Sequence, residues 1–221
     1  RTPNNAECFT AEPDSLWEHG FAGGGQNETC CTYNLLKLDR QLFMYDQAAK
    51  YMDHYERAIY NHILASVAEH DAGNTYHVPL NPGARKGFGN ENMDGFSCCN
   101  GTALESSTKL QDPIYFHSAK DDALYVNPYV PSTLTWKERS VVVKQQTDFP
   151  YGDTTRLTLA GGGKFAVKVR VPAWAQSGFF VKINGKEEPV KVVPGNYLTL
   201  NRTWKDKDTI ELRMPFDFHL S

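Results

Sequence analysis

The apolar pattern of the chain changes near residue 120, and this change constrains the fold more than any other feature. Before it, apolar residues recur at three- and four-residue spacing, which is typical of amphipathic helices. After it, short and partly alternating apolar runs are separated by turn residues, which is typical of strands in a two-sheet fold. We therefore expect an α+β chain, with a helical part over residues 1–120 and an antiparallel β-sandwich over residues 121–221.

Three helices are predicted before residue 120. In the first, Cys31, Leu35, Leu38 and Leu42 form one apolar stripe, and Asp46 is expected to cap the second. A third, short helix follows the second pair of cysteines. Three helices cannot enclose a helical core, so we expect the helical part to be the end of a larger all-α domain.

Charge and apolar content exclude two classes of partner. The net charge is −3 at pH 7, whereas a protein that binds nucleic acid needs a basic surface. No apolar run approaches the roughly 20 residues that a membrane-spanning helix requires. The chain begins without Met and without an apolar leader, so we expect a trimmed or partial product, and its compartment stays open.

Four of the five cysteines occur as two adjacent pairs, Cys30 with Cys31 and Cys98 with Cys99. Adjacent cysteines rarely bridge each other, because the bond would strain the peptide between them. An odd number of cysteines also does not suit a secreted disulfide framework. Thiolate chemistry or metal binding is therefore the favoured interpretation.

Glu28, Cys30, Cys98 and Cys99 offer one carboxylate and three sulfurs, a set of four ligands suited to Zn²⁺. The alternative is that some of these cysteines only fill the core, and we assign Cys31 to that role because it lies on the apolar stripe. A metal-bound thiolate can act as a nucleophile, with a nearby carboxylate as acid and base. This combination favours double displacement at a carbon that the pattern does not identify.

Five stretches of the sequence resemble glycoside hydrolase family 127, the β-L-arabinofuranosidases and their relatives. In chain order they are "NETCCTYNLLKL", "YMDHYERAIYNHILAS", "TYHVPLNPG", "FSCCNGT" and "LYVNPYVPSTLTW". The resemblance implies an (α/α)6 barrel followed by β-sandwich domains. Residues 1–120 would then be the C-terminal portion of the catalytic barrel, and residues 121–221 one β-sandwich domain.

The resemblance also implies roles for individual residues in a retaining hydrolase. Cys98 would be the zinc-bound nucleophile, and the zinc ligands would be the four residues named above. The acid/base glutamate would be Glu7, in "AECFT", but the match is imperfect, so Glu12 and Glu18 stay open as alternatives.

Substrate-binding residues are implied at two further positions, Glu56 and Tyr76. Without the resemblance, Glu56 would be a charge on a helix surface and Tyr76 a half-buried strand residue. His77 is expected to point away from Tyr76 by strand alternation. The implied partner is a carbohydrate, namely an arabinose-containing oligosaccharide or glycoconjugate, and no nucleic acid or membrane is expected. A homodimer is compatible with the sequence.

Two other function classes stay open. A non-catalytic carbohydrate-binding or structural module stabilised by zinc predicts a closed four-ligand site with no pocket beside Cys98. A thiol redox protein predicts cysteines that are free of metal and oxidise reversibly. Neither class accounts for "ETC" and "SCC" occurring together with the other motifs.

Overall fold

The computed structural model describes residues 27–79, 83–89, 92 and 95–218, which form helices followed by strands. The helices are α1 (Thr29–Asp46), α2 (Ala49–Ala58) and α3 (Cys98–Lys109), with a π-helical turn at Ile59–Ile63 and 3₁₀ turns at Leu64–Ser66 and Lys137–Arg139. The strands are β1 (Tyr115–Ser118), β2 (Ala123–Val126), β3 (Ser132–Trp136), β4 (Val141–Thr147), β5 (Thr154–Ala160), β6 (Gly163–Val171), β7 (Phe180–Ile183), β8 (Lys186–Glu187), β9 (Asn196–Trp204) and β10 (Thr209–Arg213). The chain is therefore of mixed α and β class, as the change in sequence pattern predicts.

The chain divides into two compact units. Among the described residues, the first unit contains 27–42 and those of 54–111, and the second contains 43–53 and 112–218. The segment 43–53, which comprises the end of α1, the connection and the start of α2, thus belongs to the second unit. No helix in the described part of the chain is long and apolar enough to cross a membrane.

The second unit is built from two sheets with one hydrophobic core. The six-stranded sheet has the order β3-β4-β5-β10-β7-β8, and the four-stranded sheet has the order β1-β2-β6-β9. Alternate residues point into the core: β5 buries Leu157 and Leu159, and β6 buries Val167 and Val169. These residues of both sheets belong to the same buried cluster. The burial of apolar surface is the main stabilising contribution in such a core, at about 25 cal/mol for each Å² removed from water.

One strand pair corrects the expectation of purely antiparallel sheets. Strands β2 and β6 are parallel, with a register from Ala123 opposite Ala166 to Val126 opposite Val169. Strands β3, β4 and β5 lie between them in sequence and belong to the other sheet. This long crossover returns the chain to the same end of the sheet, as a parallel pair requires.

Two contacts fix the segment 43–53 on the four-stranded sheet. Phe43 is fully buried, and its ring centroid lies 4.7 Å from that of Phe116 and 5.6 Å from that of Tyr125. Asp53 forms an ion pair with Arg170, whose side chain is completely buried. An apolar contact and an ionic contact therefore tie this segment to the sheet.

The predicted stripe of α1 is wrong. Leu35 is 44% exposed and Leu38 is 50% exposed, whereas Tyr33, Leu36 and Phe43 are buried. The buried residues also follow three- and four-residue spacing, so periodicity alone allows both faces. Aromatic and polar contacts select the second face, because the Tyr33 hydroxyl donates to a carboxylate on α3 and Phe43 packs among aromatic rings.

Candidate metal centre and adjoining pocket

Backbone hydrogen bonds hold Glu28 at the start of α1. The Thr29 N–H donates to the Tyr76 carbonyl at 3.2 Å, and the Val78 N–H donates to the Asn27 carbonyl at 3.2 Å. Glu28 pairs with His77 in an isolated antiparallel bridge and is only 2% exposed. Its carboxylate is therefore buried and fixed by a short ladder that immediately precedes the helix.

A capping box places the second pair of cysteines in the first turn of α3. Ser97 is the N-cap; its hydroxyl accepts from the Asn100 N–H, and the Asn100 side chain accepts from the Ser97 N–H at 2.6 Å. The helix thus begins at Cys98, with Cys99 next to it. Sequence reasoning missed this box because Asn stands where Glu or Gln is usual; the Ser-x-x-Asn spacing was the available signal.

The predicted ligands come together. One ligand atom each from Glu28, Cys30, Cys98 and Cys99 lies within 4.8 Å of all the others. The Cys30 and Cys99 sulfurs are 3.4 Å apart, and Glu28 Oε1 lies 3.9 Å from the Cys98 sulfur and 3.9 Å from the Cys99 sulfur.

These distances fit a tetrahedral zinc site. Zinc binds sulfur at about 2.3 Å and oxygen at about 2.0 Å, so ligands around one ion stand about 3.8 Å (sulfur to sulfur) and about 3.5 Å (sulfur to oxygen) apart. Three sulfurs and a carboxylate are also the soft and borderline donors that zinc accepts. The donor set thus suits Zn²⁺ in both chemistry and spacing.

Burial makes the thiolate form costly for two of the sulfurs. It raises the pKa of Cys30, and the neighbouring thiols raise it further, while the Thr102 hydroxyl acts in the opposite direction. Burial likewise raises the pKa of Cys99, which its hydrogen bond with Cys30 partly offsets. With no cation nearby, these two groups are therefore neutral thiols at pH 7, and a bound cation reverses that preference.

Cys31 has a different environment from the one expected. It is half-buried, and its thiol donates to Glu28 Oε2 at 3.4 Å. The expectation that Cys31 only packs on an apolar stripe is wrong, because its neighbours on that stripe, Leu35 and Leu38, are exposed.

An open pocket of about 540 Å³ adjoins the cluster through Tyr76. The Tyr76 hydroxyl lies 3.1 Å from the exposed Cys98 sulfur, and Tyr76 also lines the pocket together with Phe88, Phe96 and Asn100. Phe96 is 83% exposed, so an apolar ring face is available in this pocket. The Cys98 thiol is exposed and contacts a residue that lines an open pocket, which does not match the closed site that a purely structural module predicts.

His77 does not point away from Tyr76, because the two ring centroids are 4.6 Å apart. Tyr76 and His77 do not lie in a strand: among residues 75–79, only His77 forms a bridge, with Glu28, so strand alternation does not apply.

Four predicted glutamates are not among the residues that the structure groups at the cluster. Glu56 is buried at 4% exposure on α2 and is not one of the four grouped residues. Glu7, Glu12 and Glu18 lie outside the described residues. The predictions for these four glutamates therefore stay predictions.

Two family models match the chain. Residues 9–112 match the model described as "Beta-L-arabinofuranosidase, GH127 catalytic domain", and residues 123–216 match "Beta-L-arabinofuranosidase, GH127 middle domain". No curated protein matches the chain.

Three solved structures are similar to it. A protein described as a glycoside hydrolase superposes with a TM-score of 0.76 at 24% identity, covering 88% of this chain and 33% of its own. A GH127 β-arabinofuranosidase gives 0.74 at 24% identity, with the same coverage of 88% and 33%. A GH127 β-L-arabinofuranosidase from Geobacillus stearothermophilus gives 0.68 at 28% identity, covering 85% of this chain and 31% of its own. The chain thus spans about a third of the length of these relatives.

Proposed function

Since the chain belongs to glycoside hydrolase family 127, we propose that it carries part of the active centre of a retaining glycosidase, a β-L-arabinofuranosidase. The substrate is an arabinose-containing oligosaccharide or glycoconjugate with a terminal β-L-arabinofuranoside. In this proposal Cys98 is the nucleophile, a glutamate is the acid/base, and Glu28, Cys30, Cys98 and Cys99 hold a zinc ion.

The observation that carries this proposal is the four-residue cluster itself. Its members come from the start of α1 and the start of α3, about 70 residues apart in sequence, yet their ligand atoms lie within 4.8 Å of one another. Buried thiols with raised pKa values need a cation to become thiolates. A carboxylate with three sulfurs is therefore better suited to a cation than to redox exchange.

In the first step, the Cys98 sulfur attacks the anomeric carbon of the sugar. The carbon–sulfur bond forms, the glycosidic carbon–oxygen bond breaks, and Glu7 gives a proton to the leaving oxygen. Of the four ligands, Cys98 suits this role because it is exposed beside the pocket, whereas Cys99 is fully buried.

In the second step, Glu7 takes a proton from water, and the water oxygen attacks the anomeric carbon. The carbon–sulfur bond breaks and Cys98 leaves as a thiolate. Two successive inversions retain the anomeric configuration. When bound, zinc would keep this thiolate deprotonated at neutral pH and make it a better leaving group.

Two further residues are proposed to bind the sugar. Tyr76 is suited to this because its hydroxyl lies at the junction of the pocket and the Cys98 sulfur. Glu56 is proposed to bind a hydroxyl on the strength of the family motif. Exposed aromatic rings in the pocket, such as that of Phe96, offer an apolar face on which a sugar ring can pack.

The proposed architecture is the C-terminal portion of an (α/α)6 barrel over residues 1–120, followed by a β-sandwich domain over residues 121–221. The two sheets with a common core support the second part. Three helices in the described residues are too few for a barrel, so this chain would supply only one side of it.

The proposal is tested with the full-length protein as wild type and as Cys98→Ser. We expect about one zinc per wild-type chain by elemental analysis and hydrolysis of a p-nitrophenyl β-L-arabinofuranoside. Cys98→Ser should lose this activity, because a serine hydroxyl stays protonated and is a poor nucleophile. Ser107→Ala is the matched control, since Ser107 is an exposed residue on the same helix and should change neither quantity.

The stereochemistry of the product tests the mechanism separately. Proton NMR during the reaction should show the β-anomer first, as retention requires. An inverted product would exclude Cys98 as the nucleophile. Zinc binding without hydrolysis of arabinofuranosides would favour the non-catalytic zinc module. Natively purified protein that contains no zinc, with its thiols titrating as free or as disulfides, would refute the metal centre.

A further inference from the structure

The two oxygens of the Glu28 carboxylate have different neighbours. Oε1 faces the cluster, 3.9 Å from the sulfurs of Cys98 and Cys99. Oε2 instead accepts a hydrogen bond from the Cys31 thiol at 3.4 Å. One oxygen thus points to the metal ligands and the other is held by a residue outside that set.

This arrangement has a local origin. Cys31 follows Glu28 by three residues, in the first turn of α1, so the two side chains lie on the same side of the helix start. The Glu28 carboxylate is buried, with the residue only 2% exposed, so water competes little for Oε2. A weak S–H donor can therefore determine the orientation of this carboxylate.

A metal-binding carboxylate can use one oxygen or both. Hydrogen bonds from outside the ligand set orient the ligands of a metal, and their loss typically weakens binding by about 10–100-fold. A donor on Oε2 leaves Oε1 as the oxygen available to the ion. The result is a single carboxylate ligand beside three sulfurs, which gives the four-coordinate geometry that zinc prefers.

We propose that Cys31 is a positioning residue of the metal centre, whose thiol holds Glu28 Oε2 so that Oε1 alone faces the ion. This inference rests on the proposed zinc site. Cys31 itself is neither a ligand nor a nucleophile; among the described residues, the group that could hold a metal contains only the other three cysteines and Glu28.

A packing role for Cys31 predicts different behaviour from a positioning role. If Cys31 served only to fill apolar space, valine would replace it well and serine would not. If its thiol acts as a donor to Glu28, serine would replace it well and valine would not. The order of zinc affinity between the serine and valine variants therefore distinguishes the two roles.

The experiment compares the full-length protein as wild type, Cys31→Ser and Cys31→Val. Zinc affinity is measured by competition with a chromogenic chelator. We expect Cys31→Val to bind zinc about 10–100-fold more weakly than wild type, and Cys31→Ser to stay within a few-fold of it. In the cobalt-substituted protein, the visible d–d bands should shift in Cys31→Val, because the carboxylate turns, and stay unchanged in Cys31→Ser.

Each outcome decides the matter. Equal zinc affinity in all three proteins, or tighter binding by Cys31→Val than by Cys31→Ser, overturns the inference while the zinc site stands. Wild-type protein that binds no zinc overturns the zinc site and the inference together. If Cys31→Val does not fold, as circular dichroism would reveal, Cys31→Ala takes its place, because alanine also lacks the donor.

Discussion

The ion pair between Asp53 and Arg170 gives a prediction whose size follows from burial. The Arg170 side chain is 0% exposed and that of Asp53 is 10% exposed. Asp53 also accepts from the Ala173 N–H at 3.4 Å. Asp53→Ala would leave a guanidinium buried without its carboxylate, which typically costs about 3–5 kcal/mol. At about 2–4 °C per kcal/mol, the thermal midpoint should fall by about 6–20 °C.

The assay is thermal unfolding followed by circular dichroism, with a surface pair as control. Asp121 and Lys168 also form an ion pair, but their side chains are 39% and 20% exposed, so Asp121→Ala should cost only about 0–1 kcal/mol. Combining Asp53→Ala with Arg170→Met removes the buried charge as well and should recover part of the loss. A double variant no more stable than Asp53→Ala alone would refute the argument, because the unpaired guanidinium would then not be the cause.

Two further predictions concern the pocket and the response to acid. Tyr76→Phe should lower kcat/KM by about 10–100-fold, because it removes a hydrogen bond to the charged Cys98 sulfur. The zinc content should stay unchanged, since Tyr76 is not a metal ligand. A parallel loss of zinc would contradict a role for Tyr76 in substrate binding alone. The Arg213 hydrogen bond lowers the pKa of Asp153 below its usual value of 3.8, so its contribution is complete above that pH and is lost as the pH falls below it. Asp153→Asn should therefore be less stable than wild type by up to about 1 kcal/mol at pH 7. This difference should shrink as the pH falls below 3.8, and a difference that does not shrink in acid would count against the ion pair.

The β part of the chain was readable from its sequence because each strand is short and bounded by turn residues. Strand β6 illustrates this: in "KFAVKVRVP", polar and apolar residues largely alternate up to Pro172. The structure has the strand at Gly163–Val171, so it ends directly before this proline. The pairing of the strands was not readable, since alternation identifies the buried face but not the neighbour. The parallel contact between β2 and β6 depends on a crossover through the other sheet.

The helical part was harder to predict. On α1, Leu35 and Leu36 are adjacent and equally apolar, yet one is 44% exposed and the other 3%. The buried face of α1 is selected by contacts with residues far away in sequence, and these contacts cannot be identified from a single sequence. By contrast, the cysteines and Glu28 could be grouped because their chemistry, rather than their spacing, indicates a common ligand.

The segment 43–53, from the end of α1 to the start of α2, makes the second unit discontinuous in sequence. A gene fragment encoding only residues 112–221 would leave Arg170 without Asp53 and would expose the surfaces of Phe116 and Tyr125 that Phe43 covers. The β part is thus contiguous as coding sequence but incomplete as a folding unit. A protein engineer who wishes to graft or shuffle it must carry this helical segment along with the strands.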